Sequence, residues 1–375
     1  MAYSPRLRKA VGAVREALAQ AGLERQSPEF SKHGSHAPLP QAPLVLVACS
    51  GGRDSIALAQ VSHIVCGMLG LRCGAVIINH QLQPDSRQVA QQAADVCAAI
   101  GLDPVLIRDV QVCANGEGTE AAARAVRYRE LCATAQQFGA ACVLLAHTMD
   151  DQAETVLLGL LRGRGLDMVC GMPASTIRDG VRFVRPLLSL TREDTTGICA
   201  DLGLRYWDDP TNGDAVEGAL PRTYPLRSRI RHDLLPAIAQ FAGGDVVRHF
   251  ADNARLMRMD KAYLDAQADA VSHTAVRFSA DPSDSDTSDT ADTRAMMVSF
   301  DVRALADQVP SIRLRVLAHA LSQAAITASA AQIEAIDRLI TDWHGQSAVN
   351  LPRGYSANRK KHVIRVCQDR AHANR

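Results

Sequence analysis

No apolar stretch in the 375 residues reaches the ~20 needed to cross a bilayer, which excludes a helical membrane span. The first residues, MAYSPRLRKAVGAVREALAQAGL, carry basic groups but no continuous apolar core, so they read as an amphipathic helix and not a signal peptide. Ten cysteines are present, yet none forms a CxxC pair and none stands at a zinc-ligand spacing from histidine. Several, such as Cys142 and Cys199, fall inside apolar runs. They are expected to be reduced and packed, not a disulfide framework, which fits a cytoplasmic location. Charge of one sign is also missing, the net being +1, so no general attraction to nucleic acid follows from composition. No internal repeat is visible.

What the chain does have is Ser50-Gly51-Gly52-Arg53-Asp54-Ser55, between an apolar run (Leu44 to Ala48) and a helical pattern. A strand feeding a Gly-rich turn and then a helix is suited to phosphate. Glycines let backbone N–H groups crowd around an anion, and the helix N-terminus adds its partial positive charge. The serines add hydroxyl donors. Asp54 makes sense beside phosphates if it holds Mg²⁺ between itself and them. The loop lacks the lysine and the spacing of the GxxxxGK[ST] loop of kinases and GTPases.

Apolar runs of strand length at Leu44–Ala48, Ala75–Ile78, Val105–Val110, Cys142–Ala146 and Val181–Leu187 alternate with helical patterns near Asp54–Leu69, Ser86–Ile100, Thr119–Phe138 and Asp150–Leu161. This alternation predicts an α/β fold with a parallel five-stranded sheet and helices on both faces. Ligands collect outside the carboxyl ends of such strands. SGGRDS, Asn79-His80 and His147 all fall there. The segment from His147 to Thr155 opens a helix whose acidic start suits the helix dipole. Asp151 and Glu154, three apart, share a face and could bind a metal or the ammonium of an amine. Ser86 is a candidate N-cap after the second strand. Arg124 and Arg127 also share a helix face, either solvated or neutralising charge on a triphosphate. Arg227, Arg229 and Arg231, preceded by Arg222, form a cationic edge suited to a phosphate backbone. The later chain is helical, from about Asp245 to Val271. Residues 273–294 (including DPSDSDTSDTADT) are expected to be a disordered acidic insertion. Helices near Ile312–Ala324 and Ala331–Trp343 and strands around Ser347–Leu351, Tyr355–Arg359 and His362–Val366 complete a small α+β unit.

SGGRDS resembles the phosphate loop of the PP-loop ATP pyrophosphatases, a Rossmann-like, adenine nucleotide alpha hydrolase-like fold. Taken in order, SGGRDS, NHQLQPDS, EAAARAVRY, HTMDDQAET, LLRGRGLDMVCGMP, RPLL with TRED, DDPTN and RSRIRHDLLP resemble the tRNA(Ile)-lysidine synthetase family across about residues 40–240. WHGQ and LPRGYSANR resemble the short C-terminal domain of its actinobacterial-type members. Gln81 and Gln83 stand where members usually carry Gly and Arg, and Ser228 where they carry Asn.

The resemblance implies residues 1–40 as N-terminal helix and linker, 41–240 as catalytic domain and 241–375 as tRNA-binding domain. It implies ATP-dependent ligation of L-lysine to C2 of the wobble cytidine of the CAU anticodon of tRNA(Ile), through an adenylated base, with release of AMP and pyrophosphate. Ser50, Gly51, Gly52, Arg53, Asp54, Ser55, His80 and Arg124 would bind ATP, with Mg²⁺ on Asp54 and Asp151. Asp54, Asp151, Glu154, His147 and Arg127 would be catalytic. Arg222, Arg227, Arg229 and Arg231 would bind tRNA. No obligate protein partner is expected, with homodimer formation left open. The competing reading is a PP-loop tRNA thiolase, which needs a persulfide cysteine or an iron–sulfur set. A synthetase of the amidotransferase type would need a glutaminase, of which the chain shows no trace.

Overall fold

Leu44–Ala48 is a run of apolar residues without a single polar interruption, the pattern of a strand covered on both faces. In the computed structural model, which describes residues 3–31, 37–81, 85–111, 119–163, 165–213, 216–280 and 296–368, it is strand β1, with all five residues buried. Before it, helix α1 (Pro5–Gln20) turns Leu7, Val14 and Leu18 into the same core that β1 enters. After it come α2 (Arg53–Leu69), β2 (Arg72–Asn79), α3 (Ser86–Ile100), β3 (Val105–Asp109), α4 (Thr119–Gln137), β4 (Ala140–Leu144) and α5 (Met149–Arg162). Then follow α6 (Leu166–Val169), the hairpin β5 (Ser175–Arg178) and β6 (Val181–Val184), and α7 (Arg192–Asp201). The strand order is β3-β2-β1-β4-β6-β5.

The sheet therefore has six strands and not the five expected. The extra one, β5, pairs antiparallel with β6 at the edge. Its sequence, STIR, is largely exposed and carries no apolar run, so periodicity could not reveal it. Asp85, not Ser86, occupies the N-cap of α3, and Ser86 is the first helical residue.

The order reverses at β1. Its neighbours are β2 on one side and β4 on the other, both parallel to it. Successive connections leave β1 and β4 in opposite directions, which opens a crevice at their carboxyl ends. The loop after β1 is SGGRDS and the loop after β4 carries His147, so two motifs 92 residues apart in numbering meet at one edge.

Downstream, α8 (Leu226–Arg229) passes through a π-helical turn (Ile230–Leu234) into α9 (Leu235–Ala242), followed by α10 (Val246–Ala275). The chain divides into two compact units, Met1–Arg258 and Met259–Arg375. The second has an antiparallel five-stranded sheet, β7-β8-β11-β10-β9, made of β7 (Val276–Ala280), β8 (Met296–Asp301), β9 (Val349–Asn350), β10 (Tyr355–Lys360) and β11 (Val363–Gln368). Helices α11 (Val302–Ala306), α12 (Pro310–Gln323) and α13 (Ala330–Thr341) share its core around Phe300, Leu317, Ile336 and Ile364. The expected disordered insertion 273–294 is corrected at its start: 273–275 end α10 and 276–280 form β7. Val276 and Phe278 pair across to Phe300 and Val298, apolar partners that the local acidic composition concealed. The remainder, 281–294, lies outside the described residues, as does Gln83. Among the described residues no helix is long and apolar enough to cross a membrane, and nine cysteines are free.

Candidate active site

The phosphate loop is held by its own side chains. Ser55 Oγ donates to Gly52 O (2.8 Å), accepts from Ser50 N (3.1 Å) and lies 3.2 Å from Ser50 Oγ. Gly51 has φ +84°, and a Cβ there would lie 3.1 Å from the Cβ of Ala93, so both conformation and space favour glycine. Its carbonyl accepts from Trp207 N (2.9 Å). Cys49, next to the loop, is a buried packed residue with Sγ 3.5 Å from Ser55 Oγ.

The loop forms one wall of a cavity of about 350 Å³, whose lining includes Asp54, Arg127, His147, Asp151 and Arg192. A second cavity of about 270 Å³ adjoins it and shares Ser50, Arg127, Trp207 and Asp209. Its walls are mostly aliphatic (Val76, Ile78, Val89, Ala90), with Asn79 and His80 also lining it.

One corner of the larger cavity is acidic. Thr148 and Asp151 form a capping box at the start of α5: Thr148 N donates to Asp151 Oδ2 (2.8 Å) and Asp151 N to Thr148 Oγ1 (3.4 Å). This fixes the carboxylate beside Asp54. Arg192, from α7, lies 3.7 Å from Asp54, 3.6 Å from Asp151 and 3.5 Å from Glu154, and its backbone N donates to Asp150 (2.7 Å). Burial opposes the charge of Arg192, but the four carboxylates hold its pKa above that of an ordinary guanidinium. Burial raises the pKa of Asp54 above 3.8, with Arg192 and the hydrogen bond from Thr195 Oγ1 acting the other way.

Glu154 was expected to share a ligand with Asp151. Its side chain is fully enclosed and meets three arginines: Arg227 Nε at 2.7 Å, Arg231 Nε at 2.6 Å and Nη2 at 3.1 Å, and Arg192 at 3.5 Å. Glu154 does not line the cavity, whereas Asp151 does. The geometry makes it an anchor for guanidinium groups.

This arrangement also corrects the picture of a single cationic edge. Residues 227 and 231 are four apart on one helical face and turn inward to Glu154 and Asp151. Arg229 falls on another face, half-buried, its Nε without a hydrogen-bond partner among the described residues. Arg222 is exposed. Ser228, the replacement for Asn, is buried and donates to Thr211 O (3.0 Å), tying α8 to the DDPTN loop. Gln81, the replacement for Gly, adopts φ +54°. Arg53 lies 3.8 Å from Asp208.

A basic cluster gathers around His147. Arg127 is half-buried, lines both cavities and has no hydrogen-bond or ion-pair partner among the described residues. Burial and Arg124 lower its pKa. Arg124, exposed, stacks over Tyr128 (5.1 Å). Arg185 is buried and donates to Pro173 O (2.9 Å) and Tyr128 Oη (3.4 Å), with no carboxylate partner among the described residues. His147 lies among these groups, its Nδ1 unpartnered among the described residues. Burial, then Arg185 and Arg127, push its pKa far below 6.5, so it is neutral at pH 7. His80 Nδ1 is likewise unpartnered among them, and burial lowers its pKa too.

Sequence reasoning missed Arg192, Thr195, Arg185 and Trp207. Arg192 and Thr195 lie in and beside TRED, which gave only the signal of a helix start, and Arg185 opens RPLL. Nothing local tells that they converge on Asp54 and His147.

A Gly-rich phosphate loop at the switch point of a mostly parallel sheet, lining a cavity with both carboxylates and guanidinium groups, defines a PP-loop, ATP-using enzyme domain. The family model described as "PP-loop domain" matches residues 23–238, and one described as "TilS substrate binding domain" matches 300–372. The chain is 63% identical to the tRNA(Ile)-lysidine synthase of Bifidobacterium longum subsp. infantis over 390 residues, covering 100% of both chains. It is 50% identical to that of Bifidobacterium animalis subsp. lactis, covering 100% of this chain and 98% of the other, and 39% identical to that of Leifsonia xyli subsp. xyli, covering 90% and 95%. The chain belongs to the tRNA(Ile)-lysidine synthase family. Its fold is shared with the U34-tRNA thiolase NcsA of Methanococcus maripaludis (TM-score 0.51, 14% identity, 68% of this chain and 79% of that one).

Proposed function

We propose that this enzyme joins L-lysine to C2 of the wobble cytidine in the CAU anticodon of tRNA(Ile), with ATP as the energy source. The observation that carries the reading is that the phosphate loop and Asp151 line one cavity, in a chain 63% identical to a tRNA(Ile)-lysidine synthase. The cytosine O2 attacks the α-phosphorus of ATP, the bond to the β-phosphate oxygen breaks, and pyrophosphate leaves. The lysine amine then attacks C2, the C2–O bond breaks, AMP departs and the amine proton is released.

The roles follow from where charge develops. Backbone N–H groups of residues 50–55 and the start of α2 meet the growing charge on pyrophosphate. Arg127, which lines both cavities without a protein partner among the described residues, is available to phosphate oxygens; Arg124, exposed on the same helix face, would be a second guanidinium for them. Asp151 faces the cavity and suits an ammonium group, while Glu154 positions Arg192, Arg227 and Arg231 behind it. Four carboxylates (Asp54, Asp150, Asp151, Glu154) against these three guanidiniums leave a net negative corner, suited to a cation. Neutral His147 can hydrogen-bond a substrate group, while burial and the arginines around it disfavour its imidazolium form. Mg²⁺ fits as well. Among the described residues no three His, Cys, Asp or Glu side chains form a metal group, but Asp54 and Asp151 flank one cationic point, and Mg²⁺ is commonly held by two carboxylates plus phosphates. When bound it would neutralise phosphate charge. Holding three reactants in place supplies much of the rate. The exposed Arg222 and the half-buried Arg229 are the arginines of their segment suited to tRNA phosphates, and the 241–375 segment would add further tRNA contacts.

The test incubates the protein with ATP, Mg²⁺, labelled lysine and either tRNA(Ile) or tRNA(Met) with the same anticodon. Digestion then identifies the modified nucleoside. Label at the wobble cytidine of tRNA(Ile), with equal AMP and pyrophosphate, is the expected result. AMP release with sulfur but no lysine transfer would favour a thiolase.

A further inference from the structure

Trp207 joins the two halves of the site. Its backbone N–H donates to Gly51 O (2.9 Å), so it is fixed to the phosphate loop. It also lines the polar cavity beside Asp54, the aliphatic cavity beside Val89, and a third of about 390 Å³ that Gly51 lines as well. Aromatic residues are only 4% of this chain. Among the described residues lining the first two cavities, Trp207 is the only Phe, Tyr or Trp. A nucleobase needs a flat, polarisable face, and aliphatic walls supply it poorly. The aliphatic cavity has its polar groups, Asn79 and His80, on β2 and just after it, which suits a heterocycle with apolar faces and a hydrogen-bonding edge.

We infer that Trp207 is the base-stacking residue of this site, and that its bond to Gly51 holds the stacked base in register with the phosphate loop. This rests on the ATP-using reading above. Two planar bases enter that reaction, the adenine of ATP and the target cytosine, and they offer the indole the same chemistry.

A Trp343→Phe background leaves Trp207 as the sole tryptophan, so its emission reports on the site. Quenching by ATP or AMP, but not by tripolyphosphate, assigns the adenine. Quenching only by tRNA(Ile), and not by a transcript altered at the wobble position, assigns the cytosine. No response to either, or a full response to tripolyphosphate, overturns the inference. Trp207→Ala is expected to raise KM for the stacked substrate by roughly 5- to 100-fold, with Trp207→Phe restoring most of it. Inhibition by tripolyphosphate should stay unchanged in both, because the backbone N–H remains. An unchanged KM for both substrates, or weakened tripolyphosphate inhibition, also overturns it. Wild-type protein that transfers no lysine would instead remove the functional reading itself.

Discussion

Asp54 shows how a carboxyl that lines the cavity is held at a cost to the fold. Burial raises its carboxyl pKa, so a proton binds the folded protein at this site more tightly than the unfolded chain. Its contribution to stability is complete below 3.8 and is lost as pH climbs through the raised value in the folded protein. Asp54→Asn removes that loss. The variant should melt higher than wild type at neutral pH, the gap closing in acid, while AMP release falls by about 10²-fold or more. A lower melting temperature at pH 7 would contradict this. Glu154 is the opposite case, a buried acid whose loss leaves Arg192, Arg227 and Arg231 crowded together. Glu154→Ala is expected to destabilise by about 3–5 kcal/mol, read as a shifted urea midpoint. A shift within error would show that water or rearrangement replaces the carboxylate.

At the scale of elements, the segment from α8 into α9 divides its arginines by face. Arg231 turns inward and Arg222, just before the segment, is exposed, so their substitutions should separate. Arg222→Gln should weaken tRNA binding and lower its salt slope by about one. Arg231→Gln should leave the slope unaltered and reduce stability. Equal slopes in all three proteins would remove Arg222 from the interface. The same segment shows what was legible. Three arginines at alternate positions announced concentrated charge, but a helical backbone sends them to different faces. Likewise HTMDDQ was readable as an acidic helix start at a sheet edge, whereas the arginines that meet it come from α7, α8 and the π-helical turn, more than 40 residues away in numbering.

For the whole molecule, each unit has its own core, one around Val45, Ile56 and Leu58 and the other around Phe300, Leu317 and Ile364. Scanning calorimetry should therefore resolve two transitions. ATP at a hundredfold excess over its Kd should stabilise one of them by about 2.7 kcal/mol and leave the other in place. A single transition, or an equal shift of both, would show that the cores unfold together.

Local pattern was enough for the alternation of strand and helix, the phosphate loop, the place of Asp54, His147 and Asp151 at the sheet edge, and the family resemblance. Each depends on residues close in the chain, whose periodicity or turn chemistry is written side by side. Tertiary structure alone decided the antiparallel edge strand β5, the strand β7 under an acidic tract, the enclosure of Glu154, and the meeting of Arg192 and Trp207 with the phosphate loop. Those outcomes depend on which faces pack together. A charge two turns along a helix gives no sign of whether it meets water or a carboxylate until the elements around it are in place.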